Sequence, residues 1–198
     1  MIELRKGNKV PFPEKLFEGY NKYDNILYAN VNAGKIKKIL SHFIDMHEEN
    51  LFFILEFPTN HKDEMQMNEG AIKRLHKDIY YIDGCTQNKA LDILDEIGQL
   101  LINDGLCSFG FGCHLSNDEI MVGKYNVVTI FSEDLDQFDG FFEQYGIYMK
   151  EPFITAWDTF SQEYTGKSES IITDGKSIYD IPILLADWGI YFAQRVEE

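Results

Sequence analysis

The chain has 198 residues, 44% of them hydrophobic, and its 15 Phe, 11 Tyr and 2 Trp supply bulky material for one substantial core. A formal net charge of −15 argues against nucleic acid or an anionic membrane as partner, because both demand cationic patches. No apolar run reaches the roughly 18 residues of a membrane-crossing helix, and MIELRKGNKVPFPEK lacks the apolar stretch of a secretory signal, so a soluble, cytoplasmic protein is expected.

In chain order, the first 25 residues mix Pro11, Pro13 and charges, with a short helix expected around residues 14–20. Residues 26–31 read as a strand. Residues 35–49 read as an amphipathic helix, because Ile36, Ile39, Leu40, Phe43 and Ile44 fall on one face, with Asn50 placed to end it. Residues 51–57 form an apolar strand closed by Pro58. The polar stretch 59–77 reads as a long loop with a helical turn near 71–76.

A strand over 78–83 ends at Gly84, and Thr86 sits where a helix cap belongs. The helix over 88–103 carries its stripe at Ala90, Ile93, Leu94, Ile97, Leu100 and Leu101, and Gly105 stops it. The stretch LCSFGFGCHLSNDEIMVGKYNVVTIF, residues 106–131, reads as two central strands joined by a polar turn at Ser116-Asn117-Asp118. A helix over 132–145 is expected to bury Leu135, Phe138, Phe142 and Tyr145 and to end at Gly146. Residues 153–164 are helical or extended, and Asp174-Gly175 suits the two-residue turn of a hairpin over 170–179. Asp180 is placed to cap a short helix to Asp187, Gly189 breaks it, and 190–196 reads as a last strand. The pattern predicts a single α+β domain: a mixed or antiparallel central sheet flanked by amphipathic helices, with a C-terminal β-hairpin.

Few residue patterns point to chemistry. Cys85, Cys107 and Cys113 are odd in number, lack CxxC spacing and lie in apolar surroundings, which predicts buried thiols in a reducing compartment. His42 and His47 are five apart, not at the spacing of a helical metal pair, so no metal or other cofactor is expected. Gly110 and Gly112 sit inside a strand pattern, where glycine marks a bulge or close backbone approach. His114, Asp118 and Glu119 surround a turn and could line a pocket with Lys124, Tyr125 and Asp158, although a polar β-turn also accounts for them. Trp157 and Trp188 read as core residues.

The charge distribution is the sharper signal. Residues 1–77 carry 12 Lys/Arg and 11 Asp/Glu, whereas residues 78–198 carry 6 and 22. Asp92, Asp95 and Glu96 lie opposite the apolar stripe of one predicted helix, and Asp136, Asp139 and Glu143 recur along another. Like charges at such spacings repel by about 0.2–0.5 kcal/mol per pair. A solvated face accounts for them, and so does recognition of a basic protein partner, whose encounter an acidic surface accelerates. Size and acidity are similar to those of bacterial toxin-immunity proteins, a class likeness without a motif. The expected function is a non-enzymatic acidic binding protein of that immunity or inhibitor kind. The alternative is a small-ligand or metal-binding enzyme with its site around His114, Asp118 and Glu119.

Overall fold

A computed structural model describes residues 1–67 and 74–197. Its frame is an eight-stranded sheet in which every neighbouring pair is antiparallel. In chain order the elements are β1 (Asn8–Lys9), β2 (Gly19–Tyr23), β3 (Ile26–Asn30), α1 (Ala33–Met46), β4 (Leu51–Pro58), α2 (His61–Met67), β5 (His76–Cys85) and α3 (Gln87–Asn103). There follow β6 (Ser108–Cys113), β7 (Glu119–Val122), β8 (Val127–Phe131), β9 (Lys167–Ser168), α4 (Ile181–Leu184) and β10 (Tyr191–Glu197). The order across the sheet is β10-β5-β4-β6-β7-β8-β3-β2, and β1 pairs separately with β9.

Strand alternation divides the sheet into two unequal faces. Phe53 and Leu55 of β4, Phe109 and Phe111 of β6, and Ile120, Val122, Val128 and Ile130 point to the main core. There they meet Ile36, Ile39, Leu40, Phe43 and Ile44 of α1 and the predicted stripe of α3. The opposite face carries only a small cluster of Phe52, Ile54 and Ile79, with Tyr81, Met121 and Val196 against it. Both long helices therefore cover one side, and the other, the open face, carries neither of them.

The two long helices and the apolar strands fall where periodicity predicts them. Thr86 caps α3 by accepting from the Lys89 N–H at 3.3 Å. Helix α1 ends at Met46 rather than at Asn50, with the His47 ring 2.7 Å from the Phe43 carbonyl. The 106–131 stretch contains three strands, not two. A second reversal at Lys124–Asn126 separates β7 from β8, and Tyr125 (φ 57°) and Asn126 (φ 64°) adopt left-handed backbone there. Asn126 is held in place by donating to the carbonyls of Glu3 and Val31 and accepting from the Arg5 N–H.

The helix expected over 132–145 is replaced by 3₁₀ turns at Leu135–Phe138 and Glu143–Tyr145. Gly140, at φ +75°, interrupts the run, and Ser132 Oγ accepts the Asp134 N–H at its start. Leu135, Phe138 and Phe142 still reach the core from this irregular path, with Phe141, whereas Tyr145 is only partly buried. Within 59–77, residues 61–67 are helical; the turn expected near 71–76 lies partly outside the described residues. The Asp174-Gly175 turn forms with both residues at positive φ, and Thr173 and Lys176 exchange backbone bonds, but no longer hairpin arms follow. Ser177 and Asp180 make a reciprocal capping box before α4. The last strand, β10, becomes a sheet edge beside β5.

Arg5 ties the N-terminal segment down. It is 1% exposed, and its guanidinium donates to the carbonyls of Leu101 (2.8 Å), Cys107 (3.1 Å) and Gly123 (3.0 Å). Asn8 and Lys9 then pair with Ser168 and Lys167.

Candidate functional site

At the β6–β7 end of the open face the sheet carries a row of rings. Tyr191 of β10, Tyr81 of β5, Phe52 of β4 and His114 after β6 follow the strand order, with centroids 6.3, 5.7 and 4.7 Å apart in sequence along the row. Glycine makes the row possible: a Cβ on Gly112 would lie 2.3 Å from Phe52 Cζ. The Phe52 ring thus fills the space above β6 that any side chain at Gly112 would need.

Carboxylates rim the row. Asp83 accepts from Tyr191 Oη at 2.7 Å and lies 3.7 Å from His114 Nε2. Glu119 stands on β7, and Glu133 follows β8 and accepts from Asn117 Nδ2 at 3.3 Å. Together they bound a cleft of about 730 Å³, lined also by Phe131, Cys113 and Ala193, with no Lys or Arg among the described lining residues.

Burial, with Glu56 contributing, raises the Glu119 carboxyl above its ordinary range. Burial also raises the Tyr81 phenol, aided by Glu119, Glu56 and Asp83, and the hydrogen bond to Asp83 raises that of Tyr191. The Cys113 thiol is pushed up to about 12, chiefly by burial. With no Lys or Arg among its described lining residues, the cleft sets carboxyl groups beside aromatic faces, the combination that attracts an organic cation.

The turn beside the cleft is fixed from beneath. Asp118 is 1% exposed and points into the protein, its Oδ2 3.0 Å from His47 Nε2, while Gln137 Nε2 donates to both carboxylate oxygens at 3.2 Å. Glu49 accepts the N–H groups of Leu115 (2.9 Å) and Ser116 (3.1 Å). Four polar side chains thus hold a short turn, which positions His114 and Glu119 on either side of it.

The pocket residues read from the sequence separate into distinct places. His114 and Glu119 share the cleft, whereas the Asp118 carboxylate serves the scaffold. Lys124 lines another cleft at the far end of the open face. Tyr125 is buried, its ring 5.0 Å from those of Trp157 and Phe160, and Asp158 accepts from the Thr155 N–H and Oγ at 2.8 Å. Trp188 packs against the core, but Trp157 is 54% exposed. All three cysteines are free and buried.

The six acidic residues singled out by charge pattern lie on the helical side of the sheet in two groups. Asp92, Asp95 and Glu96 are exposed on α3, with Asp95 2.7 Å from Lys37 Nζ. Asp136, Asp139 and Glu143 lie on the 3₁₀ segment; Asp136 is 3.7 Å from Lys22 Nζ, and Glu143 accepts from the Tyr20 hydroxyl. Helix α1 runs between the groups, stacking His42 on Phe141 at 4.6 Å on one side and reaching α3 through Lys37 on the other. The cleft of about 840 Å³ along α1 and α3 accordingly mixes charges, with Lys6, Lys37 and Lys38 beside Asp45 and Asp95.

Phe52, Tyr81, Asp83, Glu133 and Tyr191 escape a reading by linear spacing, because they converge only through strand pairing. The glycines of β6 were the available signal: in a strand they announce that something else occupies the space above. The chain matches no family model, and comparison with curated proteins and with solved structures finds no match.

Proposed function

We propose that this chain is a non-enzymatic binding protein that captures a basic protein partner, in the manner of an immunity protein or inhibitor, on the open sheet face. The observation that carries this is the ring row of Tyr191, Tyr81, Phe52 and His114 bordered by Asp83, Glu119 and Glu133 without a Lys or Arg among the described lining residues. An arginine or lysine side chain entering the cleft lays its stem along the rings and its charge against the carboxylates. Its partner thereby loses a cationic group that would otherwise hold an anionic substrate. The net charge of −15 speeds the encounter, and the outer carboxylates Asp92, Asp95, Glu96, Asp136, Asp139 and Glu143 act at this steering stage.

The test is affinity capture from a lysate of the source cells, followed by association and dissociation kinetics with the purified partner. Glu119→Lys and Asp83→Lys are expected to raise the dissociation rate at least tenfold. Asp136→Lys with Asp139→Lys is expected to lower the association rate, and only at low salt. A partner whose dissociation ignores both cleft changes refutes the proposal.

The cleft volume, within the roughly 300–1,000 Å³ span of small-molecule sites, favours a second reading: a small cationic ligand or substrate handled by His114 and Glu119. Native mass spectrometry against a metabolite extract distinguishes the two, since retention of a small cation that His114→Ala and Glu119→Gln abolish would support this reading instead.

A further inference from the structure

The open face has a second cleft at its opposite end, and its charge is of the other sign. This cleft, about 390 Å³, lies where β5 and β6 begin and the β7–β8 turn closes, under the exposed indole of Trp157. Lys77 and Lys124 line it, with the hydroxyl residues Ser108 and Thr129. The Lys77 charge is taken by Glu56, 2.7 Å away, so Lys124, which makes no ion pair among the described residues, supplies the uncompensated charge.

Strand β5 measures the separation of the two ends, because Lys77 borders one cleft and Asp83 the other. Six residues of strand at about 3.3 Å each make this roughly 20 Å. Between them the surface is apolar: Tyr81, Met121 and Val196 pack over Ile54 and Ile79, which are buried. Gly110 sends no side chain onto this face, and Met121 lies over it: a Cβ there would lie 1.9 Å from the Ile120 carbonyl oxygen and 2.8 Å from Met121 Sδ.

We propose that the open face seats an extended segment of about seven residues from a protein partner, with Arg or Lys at one end in the Asp83–Glu119 cleft and a carboxylate at the other beside Lys124 under Trp157. The reading deepens the function proposed above and depends on it for the basic end. The charge pattern adds a direction: an apolar floor alone accepts either orientation, whereas opposite charges at its two ends admit one and penalise the reverse. Recognition is thus of a spacing, a cation and an anion six residues apart in extended chain, rather than of positive charge alone. The penultimate side chains alternate between the apolar floor and solvent, so the intervening positions tolerate variation on the solvent side.

Panning the full chain against a displayed library of random heptapeptides tests this. Enriched sequences are expected to carry Arg or Lys near one end and Asp or Glu about six positions away, with the same chain direction throughout. Lys124→Glu should remove the acidic preference and leave the basic one, and Glu119→Lys should do the reverse. Basic enrichment without any acidic preference, indifferent to Lys124→Glu, would overturn the two-ended spacing and leave the capture of a cation standing. Enrichment without Arg or Lys, or none above the unselected library, would overturn both. Circular dichroism and thermal melts of the two variants exclude misfolding as the cause.

Discussion

Asp118 Oδ2 and His47 Nε2 lie 3.0 Å apart although the two side chains are only 1% and 6% exposed, and Gln137 closes the same group from the other side. The pair joins the end of α1 to the β6–β7 turn. Removing either partner leaves the other polar group buried without its bond. Asp118→Ala is therefore expected to cost about 2–4 kcal/mol of stability, and Asp118→Asn less, because the amide keeps an acceptor at the site. Urea denaturation monitored by tryptophan fluorescence measures both; equal losses would show that an amide acceptor cannot stand in for the carboxylate there.

The strand glycines give a graded prediction. In Gly112→Ala the new methyl meets the Phe52 ring, which can swing away; in Gly110→Ala it meets the Ile120 carbonyl of the neighbouring strand. Overpacking of this kind costs about 1–3 kcal/mol. Gly110→Ala should fall at or beyond the upper end and Gly112→Ala nearer the lower. Gly112→Ala should also weaken partner binding by displacing the ring row, an effect visible in affinity at a temperature where the variant remains folded.

Glu119 makes the site sensitive to acid. Its carboxyl is raised by burial, so the folded protein holds that proton at pH values where the unfolded chain has released it. Its contribution to stability is complete below the ordinary glutamate range and is lost as pH rises through the raised value. Glu119→Gln, which cannot ionise, should therefore gain stability relative to the parent between about pH 4 and pH 7. Binding of a cationic partner has the opposite slope, weakening as the pH falls through that raised value. Denaturation of the two proteins at both pH values, with affinity measured alongside, checks the two signs independently.

The thiols give a simple solution readout. Cys107 and Cys113 are pushed up to about 12, chiefly by burial, and burial raises Cys85 as well. Thiolate is the reactive form. With a colourimetric disulfide reagent at pH 8, the folded protein should react at least a hundredfold more slowly than the chain in guanidinium, which should release three equivalents. A fast-reacting equivalent in the folded state would place a thiol at the surface.

Where local periodicity and core packing agree, the sequence was readable. Helices α1 and α3 follow their apolar stripes, Thr86 caps as its position suggests, and β4 is apolar because it lies deep in the sheet. Residues 132–145 mislead because Leu135, Phe138 and Phe142 have helical spacing, while Gly140 adopts a positive φ that the apolar pattern does not register. The short strand β2, GYNKY, is hidden because an edge strand needs little apolar alternation. The candidate site was half legible. His114 and Glu119 flank a turn visible in the sequence, but Phe52, Tyr81 and Tyr191 come from strands up to 139 residues apart along the chain and meet only through strand order.

The anchoring of Arg5 and the pairing of Asn8 with Ser168 have a consequence for how the molecule is made. Arg5 and Asn8 are synthesised well before their partners: Arg5 waits for the carbonyls of Leu101, Cys107 and Gly123, and Asn8 waits for a strand 160 residues downstream. Contacts of such span slow folding, because a long loop must close before any of them forms. The nascent sheet therefore forms with that segment unfastened, and the clasp between β1 and β9 shuts only after β9 has emerged.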